Sequence, residues 1–125
     1  MLTTLEARIA KMLGMQREVL DGTVRLDKVP PAERTHEHEI QAGRLSSKEA
    51  EIDLEAGRQA AERLRSALAR QAIPLPAGGA LSISASFGVA SRSEVPAPSS
   101  ADSLVSLADN RLYQAKAAGR NCVRP

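Results

Sequence analysis

Apolar residues recur at steps of three and four along residues 100–121, where Leu104, Leu107, Ala108, Leu112 and Ala115 form one stripe. That spacing predicts a helix with one buried face. Ser99 or Ser100 stands where it caps the start, Asp102 puts a negative charge in the first turn, and Gly119 suits a left-handed residue at the C-terminal end. At the other end of the chain, Thr3 or Thr4 starts a helix with Leu5, Ile9, Met12, Leu13, Val19 and Leu20 on its apolar side. The steps Leu5 to Ile9 to Met12 are heptad-like over a short run. Asp21-Gly22-Thr23 reads as the turn that ends this helix, with an extended stretch following as far as Pro30-Pro31, a pair suited to the first turn of a second helix.

From residue 31 to residue 71 no further proline occurs and most residues are good helix formers, which predicts one long helix. At about 1.5 Å per residue it would reach on the order of 60 Å, too long to bury itself in a small domain. Such a rod needs a partner. Leu45 and Ile52 lie seven apart, as do Leu54, Ala61 and Leu68, and these broken heptads suit either a parallel dimer or a helix folded back on the first one. Gly43 and Gly57 mark kinks or changes of partner. After this helix, residues 72–76 read as extended and Gly78-Gly79 as a turn. Leu81, Ile83, Ala85, Phe87 and Val89 alternate with small polar residues, giving a hairpin whose single apolar face needs a cover. A proline- and serine-rich loop leads to the final helix, and residues 121–123 are placed to add a short edge strand.

Composition narrows this picture in one respect. With one Phe, one Tyr and no Trp in 125 residues, there is little material for a broad packed core, and helical packing is favoured. The expected fold class is therefore mostly α with a small α+β part. The net charge of +2, with no basic stripe interleaved with rings, argues against nucleic acid as a partner. The single cysteine, Cys122, makes no internal disulfide, and no apolar run has the length of a membrane span. With no signal-peptide pattern at Met1, the chain is expected to be cytoplasmic, without a membrane partner. His36 and His38 are two apart, so on a helix they point to different sides and no metal site is expected there. Asp27 and Lys28, between Leu26 and Val29, suit either an exposed docking edge or an ordinary loop with two buried anchors.

Lys116 and Arg120 fall at i and i+4 near the end of the last predicted helix. They suit a complement to the helix dipole or a two-pronged clamp on a polyphosphate. The string over residues 104–121, with Leu104, Leu107, Ala108-Asp109, Leu112-Tyr113, Ala115-Lys116 and Gly119-Arg120-Asn121, resembles the closing signature of the GGDEF domains of diguanylate cyclases. Residues 81–90 are similar to that family's strand ending in Ser-x-Gly-Val-Ala, and residues 61–68 to the helix before it. The resemblance covers roughly residues 55–123.

Diguanylate cyclases join two GTP molecules into cyclic di-GMP, using Mg2+ or Mn2+, with one GTP held by each of two facing domains. In the family the lysine and arginine of the closing signature contact the terminal phosphates of the nucleotide, which carries over onto Lys116 and Arg120. The sequence departs from the family elsewhere. It has no Gly-Gly-acid-Glu-Phe turn, no Asp-x-Leu-Thr-x-Leu opening signature, no metal-binding aspartate after a first strand and no Arg-x-x-Asp inhibitory motif. No catalytic residue and no metal ligand is therefore assigned.

The expected organisation is a helical stalk over residues 1–56, for dimerisation and regulation, followed over residues 57–125 by the C-terminal half of a GGDEF domain. The family's catalytic half would belong near Gly57, and a missing stretch explains its loss better than a folded remnant does. Two functions are expected from this: part of a stalk-regulated diguanylate cyclase, or a catalytically inactive, dimerising helical module that binds a regulatory partner. A homodimer and a small activator protein on the stalk are the expected partners, with Leu5, Ile9, Met12, Leu26, Ile40, Leu45 and Ile52 at the interface. The stalk is loosely similar to those of biofilm-related cyclases engaged by a small activator.

Overall fold

The computed structural model describes residues 4–98 and 100–125. The predicted caps at Thr3 and Ser99, and the side chain of Leu5, lie outside the described residues. The chain comprises two units, Met1–Asp53 and Leu54–Pro125. Among the described residues, three α-helices and two small two-stranded sheets make the fold mostly α with a small α+β part.

The first unit is a helical hairpin. Helix α1 (Thr4–Asp27) faces the first half of helix α2 (His36–Arg70). Met12, Met15, Val19, Gly22 and Leu26 are half-buried, and their steps of three and four trace one side of α1. The predicted turn at Asp21-Gly22-Thr23 is corrected here, because α1 runs straight through it. The reason is packing: a β-carbon on Gly22 would stand 2.7 Å from a methyl of Leu45, so the glycine leaves the room that the Leu45 side chain of α2 occupies. Thr23 Oγ1 donates back to the Val19 carbonyl at 2.7 Å, which keeps that side chain compatible with a helix. Glu18 and Lys48 form an ion pair across the same interface. Gly22 beside Leu45 and Glu18 beside Lys48 set an antiparallel register, so of the two arrangements the heptads allowed, the fold-back is present.

The expected start of the second helix at Pro31 is also corrected. Pro31–Glu33 is a separate 3-10 turn, and Arg34 behind it is extended. Helix α2 begins two residues later, where the Thr35 carbonyl accepts from His38 N–H and Glu39 N–H, and His38 Nδ1 accepts from Thr35 N–H at 2.9 Å. Thr35 and His38 thus satisfy amides that the start of a helix leaves without intrahelical partners. From there α2 is unbroken for 35 residues, so neither Gly43 nor Gly57 interrupts it.

In the second unit, β1 (Ala72–Pro74) pairs antiparallel with β2 (Ala80–Ser82) through the Gly78-Gly79 turn, as the sequence predicts. Both strands are exposed. The single strand expected over residues 81–90 is instead two pieces, because β3 (Phe87–Gly88) leaves the hairpin and pairs in parallel with β4 (Val123–Arg124). The added C-terminal strand is thus present, at Val123–Arg124 rather than over residues 121–123. Helix α3 (Ala101–Ala117) covers β3 and β4. A β-carbon on Gly88 would lie 2.0 Å from the Ala108 carbonyl oxygen, so only glycine lets strand and helix backbones meet here. The buried apolar side chains among the described residues are few, Ile52 and Ala61 at 8% exposure and Ala115 at 0%, and two of them are alanines. That is the core expected of a chain nearly without rings.

Candidate phosphate-binding end of the C-terminal helix

Helix α3 is held at both ends by its own sequence. Ser100 Oγ accepts from Ser103 N–H at 3.2 Å, and Asp102 lies in the first turn, as expected. The predicted stripe is the inward face, with Leu104, Leu107, Ala108 and Leu112 half-buried and Ala115 buried. The helix stops at Ala117 rather than at residue 121, and a Schellman closure follows. Gly119 N–H donates to the Lys116 carbonyl and Arg120 N–H to the Ala115 carbonyl, with Gly119 at φ 106°.

The i, i+4 spacing of the two cations is thereby corrected as helix geometry. Lys116 is in the last turn of α3, whereas Arg120 lies beyond the closure at φ 62°. Asn121 follows at φ 46°. Two successive non-glycine residues in the left-handed region are costly, on the order of 1 kcal/mol or more each, and side-chain bonds hold them. Asn121 Oδ1 accepts from Arg65 Nη1 at 2.9 Å, and Arg65 is itself forked onto Glu62. The bond to Glu62 raises the Arg65 guanidinium above its ordinary pKa. Cys122 Sγ donates to the Ala115 carbonyl, and the Cys122 carbonyl accepts from Phe87 N–H at 3.0 Å. Lys116 and Arg120 themselves are exposed, and neither side chain is bonded to another described residue. Two free cations on a fixed turn suit a phosphate group.

A second set of contacts anchors α3 from Arg111 on its inward face, and sequence reasoning missed it. Arg111 forks onto Glu94 at 2.6 and 2.7 Å and also donates to the Val89 carbonyl at 2.7 Å. Glu94 additionally accepts from Ser91 N–H, while Ser91 caps the short 3-10 turn Arg92–Glu94. The hydrogen bond from Arg111 holds the Glu94 carboxyl below its ordinary pKa, against a smaller opposing effect of burial. The spacing Ser91-x-x-Glu94 is a capping box, a signal legible in the sequence within what was read only as a loop.

The remaining predicted residues are not brought to this site. Leu26 and Leu45 line the inside of the α1/α2 hairpin, Met12 is half-buried on the same side, Ile52 is buried, and Ile9 and Ile40 are exposed. His36 Nδ1 and His38 Nδ1 have separate partners, Glu39 and Thr35. Among the described residues no three His, Cys, Asp or Glu side chains stand where one metal ion would be held. The Gly78-Gly79 turn is followed by Ala80 and Leu81 rather than by carboxylates. The donor set thus fits a phosphate and does not fit the divalent metal that accompanies GTP in diguanylate cyclases.

Residues 49–122 match the family model described as "Diguanylate cyclase, GGDEF domain". No curated protein and no solved structure matches the chain. The matched span covers more than half of the 125 residues and contains the Gly88 contact, helix α3 and the closure that presents Lys116 and Arg120, and on this ground the chain belongs to the GGDEF family.

Proposed function

We propose that the chain is part of a stalk-regulated diguanylate cyclase, in which residues 57–125 supply the phosphate-contacting end of the GGDEF domain and residues 1–56 the regulatory stalk. The observation that carries this reading is the pair of free cations, Lys116 and Arg120, on a turn fixed by the Schellman closure and by Arg65. Their partner would be the terminal phosphates of GTP. Phosphoryl transfer places developing negative charge on those oxygens, and fixed cations lower its cost. The stalk dimerises, bringing two such domains face to face, and a small activator protein bound to it sets their orientation in the cytoplasm, in a pathway that controls biofilm formation.

The test uses a form of this protein that also carries the family's catalytic half, with its Mg2+ or Mn2+ and GTP. Lys116→Ala and Arg120→Ala should each reduce turnover about ten- to a hundredfold, the loss of one charge-assisted contact. Unchanged turnover in both variants would leave the cations as complements to the helix dipole and end the reading.

A second reading, an inactive dimerising module, is favoured by one observation: no carboxylate follows the paired glycines at residues 78–79. Under it the 125-residue chain binds its partner but has no use for GTP. Full protection of a stalk partner with no GTP-dependent change at Lys116 or Arg120 would support it.

A further inference from the structure

The α1/α2 hairpin of the first unit encloses a groove of about 530 Å³, a volume in the range of small-molecule sites. Val19 and Leu26 of α1 and Ala42 and Leu45 of α2 supply apolar walls. Set into these walls is Glu49, whose Oε2 is buried and has no hydrogen-bond partner. A carboxylate oxygen withdrawn from water without a donor is costly, so the groove holds an unmet demand for a cation or an N–H group. Two more carboxylates, Asp27 and Glu39, line the groove toward its loop end, Glu39 also accepting from His36 at the rim, against one guanidinium, that of Arg34, and the imidazole of His38. Arg34 Nε is already committed to the Val29 carbonyl. The groove is thus acidic on a chain whose net charge is +2.

The arrangement distinguishes between kinds of cation. The carboxylates do not converge, since no metal-holding group of three occurs among the described residues. Glu39 and Glu49 are ten residues apart on one helix, about 15 Å at 1.5 Å per residue. The antiparallel register set by Gly22 and Leu45 puts Asp27 level with residues 39–40. Negative charge therefore stands at both ends of a slot with aliphatic walls between. A metal ion would be too small to use both ends. A chain of methylene groups carrying ammonium groups along its length meets each feature in turn.

We propose that this groove binds a linear aliphatic polyamine, with one terminal ammonium on Glu49 and the other near Asp27 and Glu39. This site is independent of the phosphate-contacting turn and of the dimer. The test is isothermal titration of the 125-residue chain with spermine at physiological ionic strength. One saturable site per chain is expected, with putrescine, too short to reach both ends, at least about tenfold weaker. Glu49→Gln keeps the shape and removes the charge, and should weaken spermine about ten- to a hundredfold. Asp53→Asn, at an exposed acid outside the groove, should leave it unchanged. Ala42→Leu, which fills the groove without altering charge, should abolish binding while circular dichroism retains the wild-type helix content. The proposal is overturned if wild type shows no saturable spermine binding, if Glu49→Gln or Ala42→Leu binds like wild type, or if Asp53→Asn is as harmful as Glu49→Gln. A dimer disrupted by Ala42→Leu, with no spermine uptake, would assign the groove to a second copy of the chain and equally overturn it.

Discussion

Glu94 accepts hydrogen bonds from two nitrogens of Arg111 and from Ser91 N–H, and both side chains of the ion pair are less than a quarter exposed. Because the folded state holds this carboxyl below its ordinary value of 4.5, the unfolded chain binds its proton more readily. The stabilisation is therefore fully present above the unfolded value and is lost as pH falls through the folded one. Glu94→Gln should lower stability at pH 7 by about 1.5 to 3 kcal/mol. In thermal melts the gap from wild type should narrow steadily below pH 4.5. A gap that stays constant into strong acid would show that the ionised carboxylate is not what anchors α3. At this same scale the sequence was partly legible. Gly119 after a cationic last turn announced the closure, because only a residue tolerant of positive φ fits there. The role of Arg111 was not legible, because its partner is 17 positions upstream in sequence and nothing local marks the pair except the Ser91-x-x-Glu94 box.

Among elements, the helices were predicted more accurately than the strands, for a reason that the residues make plain. The stripe of α3 repeats over about three turns, and each repeat adds to the signal. The run over residues 81–89 alternates throughout, yet it is divided, because β2 finds its partner in β1 and β3 finds its own in β4. Alternation reports which side chains share a face and carries no information about which strand will be adjacent. The end of α1 was misplaced for the converse reason. Gly22 has the local propensity of a helix breaker, and the Leu45 side chain packed against it outweighs roughly 1 kcal/mol of propensity.

With α1 complete, a second stripe emerges on it: Ile9, Leu13, Leu20 and Val24 are exposed and lie about 120° around the helix from the side facing α2. Leu45 and Ile52, by contrast, are committed within the chain. If the stalk dimerises, the outer stripe is the surface for it. Leu13→Glu with Leu20→Glu should convert a dimer to monomer in light scattering while leaving helix content unchanged. Leu45→Glu with Ile52→Glu should instead cost the hairpin its fold. A dimer that survives the outer pair of substitutions would place the interface elsewhere.

The whole molecule combines a family's closing signature with none of the carboxylates its chemistry uses. Joining two GTP molecules requires a 3′-hydroxyl to be placed in line with an α-phosphate whose charge is neutralised as the bond to pyrophosphate breaks. On the proposed reading, Lys116 and Arg120 would answer for one part of that, the terminal phosphates. Asp102 and Asp109 lie along α3, while on α2 Glu51 and Glu55 are one turn apart and Asp53 faces another way, and among the described residues no three such side chains stand where one ion would be held. The 125-residue polypeptide, given GTP with magnesium or manganese, should therefore form no cyclic di-GMP by chromatography, with or without a stalk-binding protein present. Steady product from this polypeptide, above a parallel preparation carrying Lys116→Ala and Arg120→Ala, would locate a catalytic centre among residues that the fold keeps apart. Product from a form that regains the family's catalytic half, and only from that form, would assign the present chain its two remaining tasks, holding phosphates and positioning the domains that carry them.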